Sequence, residues 1–164
     1  MKRINHRASF IFAAALFLLT SCGQKTILED RREFRQDVWN RFTPEVFDIG
    51  VKNNRDYYNI DFTVEVDTAI YRYDNVPFRV ELDSPAGEHR QFFPAVMLKE
   101  HGVWRGTDEN GYRKVKGRIR NYFSFNHEGK HRMSVKHTTP QFDLEGIHAL
   151  TVTVERTTVD YGDL

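Results

Sequence analysis

The sequence predicts an all-β domain, an antiparallel β-sandwich of about seven or eight strands in an immunoglobulin-like or jelly-roll-like arrangement. Three observations predict it. Several segments alternate apolar and polar residues with a period of two, which puts one face in a core and the other in water. Glycine-, proline- and asparagine-containing turn signals separate these segments at spacings of about 8 to 15 residues. Five prolines and no low-complexity tract argue against long disorder, and no internal repeat is present.

The chain opens on a different pattern. Lys2, Arg3 and Arg7 form a positive start, and Ala8 to Leu19 is almost wholly apolar. That run is shorter than the about 20 apolar residues a spanning helix needs. It ends in Leu19-Thr20-Ser21-Cys22, and Cys22 is the only cysteine. A charged start, an apolar core and small residues make a secretory signal, and the cysteine makes its end a bacterial lipobox. Cleavage between Ser21 and Cys22 would leave a thiol carrying diacylglycerol. A triacylated cysteine, with palmitate-type chains, would hold the protein firmly where one chain binds only marginally. Residues 1–21 are therefore read as a lipoprotein signal peptide, 22–36 as the lipidated N-terminus and a polar tether, and 37–164 as the β-sandwich domain. Within the tether, Ile27, Arg31, Phe34 and Val38 have helical spacing and suggest a short amphipathic helix.

From Tyr58 the period becomes two. Tyr58, Ile60, Phe62, Val64 and Val66 alternate with Asn59, Asp61, Thr63 and Glu65, which are expected in water. Val76, Phe78, Val80 and Leu82 repeat the pattern, and Pro77 places that strand's start there or the strand at an edge. Ser84-Pro85-Ala86-Gly87 and Asp108-Glu109-Asn110-Gly111 are turns, the second followed by a strand from Tyr112 to Arg120. Asn126-His127-Glu128-Gly129 leads into His131, Met133, Val135 and His137 on one face. Leu150, Val152 and Val154 mark the inward face of the last strand.

Charge excludes some functions. A leader holding three of the 24 Lys and Arg leaves 21 against 23 acidic residues, a mature balance of −2. Nucleic acid demands a concentrated basic face, so it is not expected as a partner. The mature length suits one core, and with Cys22 acylated no disulfide remains to brace it.

Candidate chemistry is sparse. His127, His131 and His137 invite a metal reading, but the last two lie about 20 Å apart along an extended strand, whereas zinc ligands must converge. No metal is expected. The carboxylates Asp108, Glu109, Asp143 and Glu145 could supply an acid and a base, but they fall in turn-like segments that favour acids for conformational reasons. No nucleophile, Walker or dinucleotide motif occurs, so the expectation is a non-enzyme without a cofactor beyond the covalent lipid.

The aromatics are the more informative group, with thirteen Phe, seven Tyr and two Trp. Trp39, Phe42, Phe47, Phe62, Phe78 and Trp104 are read as core. Ile70-Tyr71-Arg72-Tyr73 and Tyr122-Phe123-Ser124-Phe125 hold more aromatics than one core face needs. Tyr71, Tyr73, Tyr122 and Phe125 are the candidate partner-contact residues, since contiguous exposed apolar surface marks interfaces.

The order of these motifs carries a resemblance. After the lipobox come Trp39, Tyr58-Asn59 opening an alternating strand, Tyr73-Asp74-Asn75 and Ser84-Pro85-Ala86-Gly87. Val103-Trp104-Arg105-Gly106 and Leu144-Glu145-Gly146-Ile147 then precede the final strand. Over essentially its whole length the chain resembles the gliding motility lipoprotein H family of the Bacteroidetes. It departs at Ile70-Tyr71-Arg72-Tyr73, which lacks the family's usual proline. The resemblance implies a non-enzymatic envelope lipoprotein that contacts other envelope proteins and touches the membrane through its anchor. It offers no catalytic or ligand residues to carry over. In that group acids directly after the cysteine accompany surface exposure. Gly23-Gln24-Lys25-Thr26 has none, so the expected location is the periplasmic face of the outer membrane. A glycan- or peptide-binding sandwich module on the envelope is the alternative, because sandwiches host both functions.

Overall fold

A computed structural model describes residues 25–158. The segment read as a signal peptide, and Cys22, lie outside the described residues. The strand segments run β1 (Thr26–Glu33), β2 (Val38–Asn40), β3 (Glu45–Val51), β4 (Tyr57–Val66), β5 (Asn75–Asp83), β6 (His89–Phe92) and β7 (Ala95–Met97). They continue as β8 (Lys99–Glu100), β9 (Val103–Trp104), β10 (Thr107–Glu109), β11 (Tyr112–Ser124), β12 (Gly129–His137), β13 (Asp143–Glu145) and β14 (Ile147–Thr157). Seven of these, β1, β3, β4, β5, β11, β12 and β14, are seven residues or longer. Those seven build the sandwich that the alternation predicts.

One sheet has the order β1-β14-β4-β11-β10 and the other β3-β12-β5-β6, with β7 on the start of β5. Pairing within both is antiparallel. The two sheets meet through apolar faces set by parity. Phe62 from β4 and Phe78 from β5 cross edge to face at 5.3 Å, and Leu150, Val152 and Val154 of β14 are fully buried. Gly117 lets β7 close one side, since a Cβ there would stand 2.9 Å from the Val96 side chain.

The tether and its helix are corrected. Residues 26–33 are strand β1, hydrogen-bonded along β14 from Thr26↔Glu155 to Glu33↔Ala149. Uncovered, the β14 edge would leave its amides and carbonyls without partners, and β1 supplies them while Ile27 and Leu28 pack on the core. The helical spacing was a coincidence of an amphipathic strand: Phe34 is buried and Arg31 faces outward to Glu65.

Beyond Glu33 the same ribbon continues. Phe34 donates its amide to the His148 carbonyl and Gly146 donates to the Asp37 carbonyl, after which β2 pairs with β13. Between them Gln36 and Asp37 both take positive φ, 58° and 55°, which costs non-glycine residues strain. The Asp37 carboxylate offsets it by accepting from the Tyr112 hydroxyl at 3.0 Å and pairing with His148 Nδ1 at 2.7 Å. This kink lays Trp39 across the end of the sandwich, stacked on Phe34 at 4.7 Å and 5.9 Å from Phe78. Gly146, at φ 82°, answers the kink from β14's side; a Cβ there would lie 2.9 Å from the Tyr71 amide.

Two further readings change. β5 is interior, flanked by β12 and β6, and starts at Asn75. Pro77 falls where pairing passes from β7 to β6, so its missing donor coincides with a break. Asp143 and Glu145 belong to strand β13 and Asp108 and Glu109 to strand β10, rather than to turns, which leaves Asn110-Gly111 as the turn proper.

A protein beginning at Val38, without β1, is expected to lose its cooperative thermal transition in far-UV circular dichroism. One beginning at Gln24 should keep it. Equal transitions would restore the tether reading.

Candidate interaction surface

The structure splits the four aromatic candidates. Tyr71 and Phe125 are buried, which corrects their assignment to a surface. The chain turns at Asp67, whose carbonyl accepts from the amides of Ile70 and Tyr71, and this drops the Tyr71 ring into the core. Its hydroxyl donates to the Asn75 carbonyl at 2.8 Å, and burial pushes its pKa well up. Phe125 stands edge to face against Tyr58, Phe123 and His131. Tyr73 and Tyr122 are exposed as expected. Tyr122 sits at φ 51° in an irregularity between the Arg120↔Ile60 and Phe123↔Tyr58 pairs. Bulges of this kind re-aim a side chain.

Sequence reasoning missed three strongly exposed phenylalanines, of which Phe93 stands apart between β6 and β7. Phe42, expected in the core, is 71% exposed, and Phe142 is 63% exposed. Trp104 is only partly buried, under Lys99. Phe42 follows β2 and Phe142 precedes β13, so the β2–β13 ribbon brings them together at 5.4 Å between ring centres. The Arg41 guanidinium lies 5.9 Å from both rings. Next to Phe142, the Gln141 amide donates to the Tyr73 hydroxyl. Ile70, Arg72, Tyr73, Gln141, Asp143, Leu144 and Glu145 line a depression of about 310 Å³ beside the pair. Tyr73 is thereby tied to the residue preceding Phe142, with Arg72, Asp143 and Glu145 lining the depression. The only signal available in sequence was the pair of turn prolines, Pro44 and Pro140, close to each ring.

The polar candidates are dispersed and engaged. His127 is a turn residue 3.8 Å from Glu88. His131 packs on Phe125. His137 makes a 2.9 Å contact from Nε2 to the Trp39 carbonyl and a 2.8 Å contact from Nδ1 to Thr139 Oγ1. Among the described residues no group of His, Cys, Asp and Glu is placed to share a metal ion. Asp108 pairs with Arg113, Glu109 with Lys114, and Asp143 accepts from Asn40.

Two acids expected in water are instead buried on the outer face of the first sheet. Asp61 is 1% and Glu65 5% exposed, and Glu65 lies in a shallow trough of about 630 Å³ lined by β1, β14, β4 and β11. Arg31 grips both Glu65 oxygens, at 2.9 and 2.7 Å, with Lys114 at 3.6 Å. Lys116, at 3.1 Å, and Arg118 hold Asp61. Long basic side chains roof the short acids with their apolar stems, which is how a charged face becomes half dry. The Arg31 hydrogen bond holds the Glu65 carboxyl below its ordinary value.

Burial pushes the His131 and His137 imidazoles down. The folded state therefore resists protons that the unfolded chain takes up near pH 6.5. Stability should be fully present above that value and decline as pH falls below it. The thermal midpoint is expected to drop from about pH 7.5 to about pH 5.5, and a His137→Gln variant should show a shallower drop. An unchanged slope would remove His137 from the account.

No curated protein matches the chain. Among solved structures it is similar to the CBM22-1–GH10 modules of Clostridium thermocellum endo-1,4-β-D-xylanase 10B, complexed with xylohexaose. Identity is 12%, the TM-score is 0.32, and the match covers 81% of this chain and 29% of that one. A likeness that distant carries no argument about fold or ligand. A family model, that of the GldH lipoprotein, matches residues 26–154. The match starts on the first residue of β1 and ends within β14, so it takes in both sheets, the kinked ribbon and the aromatic end. The chain belongs to the GldH lipoprotein family, the gliding motility lipoproteins that its motif order resembles.

Proposed function

We propose that this protein is a non-enzymatic component of a cell-envelope assembly. It is anchored by lipid on Cys22 at the periplasmic face of the outer membrane and docks another envelope protein through its aromatic end. The observation that carries the reading is the Phe42–Phe142 pair, two large rings left in solvent by a fold that buries most of its other aromatics. Exposed rings beside Arg41, with Tyr73 held by the neighbouring Gln141, have the composition of a protein contact, where aromatic and arginine residues concentrate. Of the candidate groups, Asp108, Glu109 and Asp143 are tied into pairs and His131 and His137 are packed in the core, while Glu145 stands exposed on β13. Family membership supports the lipid anchor and the envelope location.

Replacing Phe42, Tyr73 and Phe142 together with Ser should weaken recovery of the cross-linked partner from envelope. Each anchoring ring is worth about 2 kcal/mol, or roughly thirtyfold, where it is buried at a contact. The thermal midpoint should hardly move, whereas Tyr71→Ala or Phe125→Ala should lower it steeply because each opens a cavity. Unchanged recovery by the triple variant would overturn the docking site. Retention of the parent on a glycan array, lost in the triple variant, would reassign the surface to carbohydrate.

Anchoring has its own test. Cys22→Ser leaves no thiol to acylate, so incorporation of radiolabelled fatty acid should vanish and the protein should leave the membrane fraction. Labelling that persists in the variant would place the lipid elsewhere.

A further inference from the structure

The two ends of the β1–β14 ribbon are far apart, and the chain's route toward Cys22 leaves from the end opposite the aromatic cluster. Thr26 pairs with Glu155, and Arg156 donates its amide to the Lys25 carbonyl at 2.7 Å, so the sheet already grips Lys25. Only Gly23 and Gln24 separate Lys25 from Cys22. Three residue steps reach at most about 11 Å, whereas β1 alone, at about 3.3 Å per residue, is some 23 Å long.

Three loops share the end where β1 starts. They are the segment 52–56 before β4, the turn 84–88, and the turn 126–128 before β12. They are joined into one base: Asn54 donates to the Asn126 carbonyl at 3.0 Å, and the Asn126 amide donates to Glu88. Two exposed tyrosines stand at this end, Tyr57 at the first position of β4 and Tyr122 near the end of β11. Adjacent pairs hold them close together, with Ser124↔Tyr57 in register and the Tyr122 amide donating to Asn59 Oδ1 at 3.2 Å. Arg156 lies 3.5 Å from Asp56, and Lys25, Lys52 and Arg55 stand exposed at this end with the acidic Glu128, so the base is of mixed charge.

We infer that this base lies on the lipid surface, with Tyr57 and Tyr122 at headgroup level and the aromatic end directed away from the bilayer. The inference rests on Cys22 being the lipid attachment. A lipid-bound cysteine three residues from a fixed strand leaves the domain no room to tumble, and tyrosine suits a boundary where one end of the ring is dry and the hydroxyl wet. Tyr122 is thereby a membrane contact rather than a partner contact.

Because Cys22 is the only cysteine, a second cysteine introduced into the lipidated protein is a unique thiol for a fluorophore. Labels at Arg55→Cys, in the base, and at Phe42→Cys, at the far end, would be read in phosphatidylcholine vesicles containing a headgroup-level quencher. Quenching is expected to be several-fold greater at 55 than at 42. Insertion of a long Gly/Ser spacer between Gln24 and Lys25 should reduce the difference, and Tyr57→Ser with Tyr122→Ser should reduce it further. Intact mass of the same samples reports acylation. Lipid on Cys22 with equal quenching at both labels would overturn the orientation and leave the anchor standing. Absence of the acyl mass would overturn both.

Discussion

The pairing of β1 with β14 joins the first and last strands of the domain, and Thr26 and Glu155 lie 129 residues apart in sequence. It satisfies the open edge of the first sheet, brings Arg31 to Glu65, and sets the course of the ribbon whose kink seats Trp39 over the core. Contacts of such separation require the intervening chain to be ordered before they contribute, so β1 should dock late and the domain should fold slowly for its size. The same pairing is extended by the Arg156 amide on the Lys25 carbonyl, the contact on which the proposed orientation rests.

The molecule is polar in the geometric sense, with unlike ends. At one, three short loops interlock beside two exposed strand-end tyrosines. At the other, the kinked ribbon closes the sandwich and leaves Phe42 and Phe142 outside it. A β-sandwich buries its faces by sheet-on-sheet packing, so its ends are where loops are free to carry function. The proposed anchor at one end and the proposed docking surface at the other would suit a tethered adaptor.

Electrostatics play a supporting part. Asp61 and Glu65 are buried carboxylates whose cost is offset only because Arg31, Lys114, Lys116 and Arg118 converge from neighbouring strands. Pairs of this kind add little net stability over an apolar equivalent, but removing one partner strands a buried charge. They therefore act as a check on register: a one-residue slip of β1 or β11 would turn the cations to the wrong face.

Local patterns sufficed where one strand answers to one face. The alternation of Tyr58–Val66, Val76–Leu82, His131–His137 and Leu150–Val154 named the buried side chains correctly, and the Ser84–Gly87 and Asn110–Gly111 turns fell where their residues allow positive φ. The motif order also led to the right family. What the sequence could not contain was the effect of distant chain on each segment. Residues 26–33 look like a polar tether because their apolar content is low, and they become a strand because β14 presents unpaired backbone groups to them. Asp61 and Glu65 look solvated until basic side chains from two other strands roof them. Tyr71 and Phe42 exchanged expectations for the same reason. Hydrophobicity says that a ring gains by burial, but only the packed ribbon and the turn at Asp67 decide which ring finds a cavity and which is left outside.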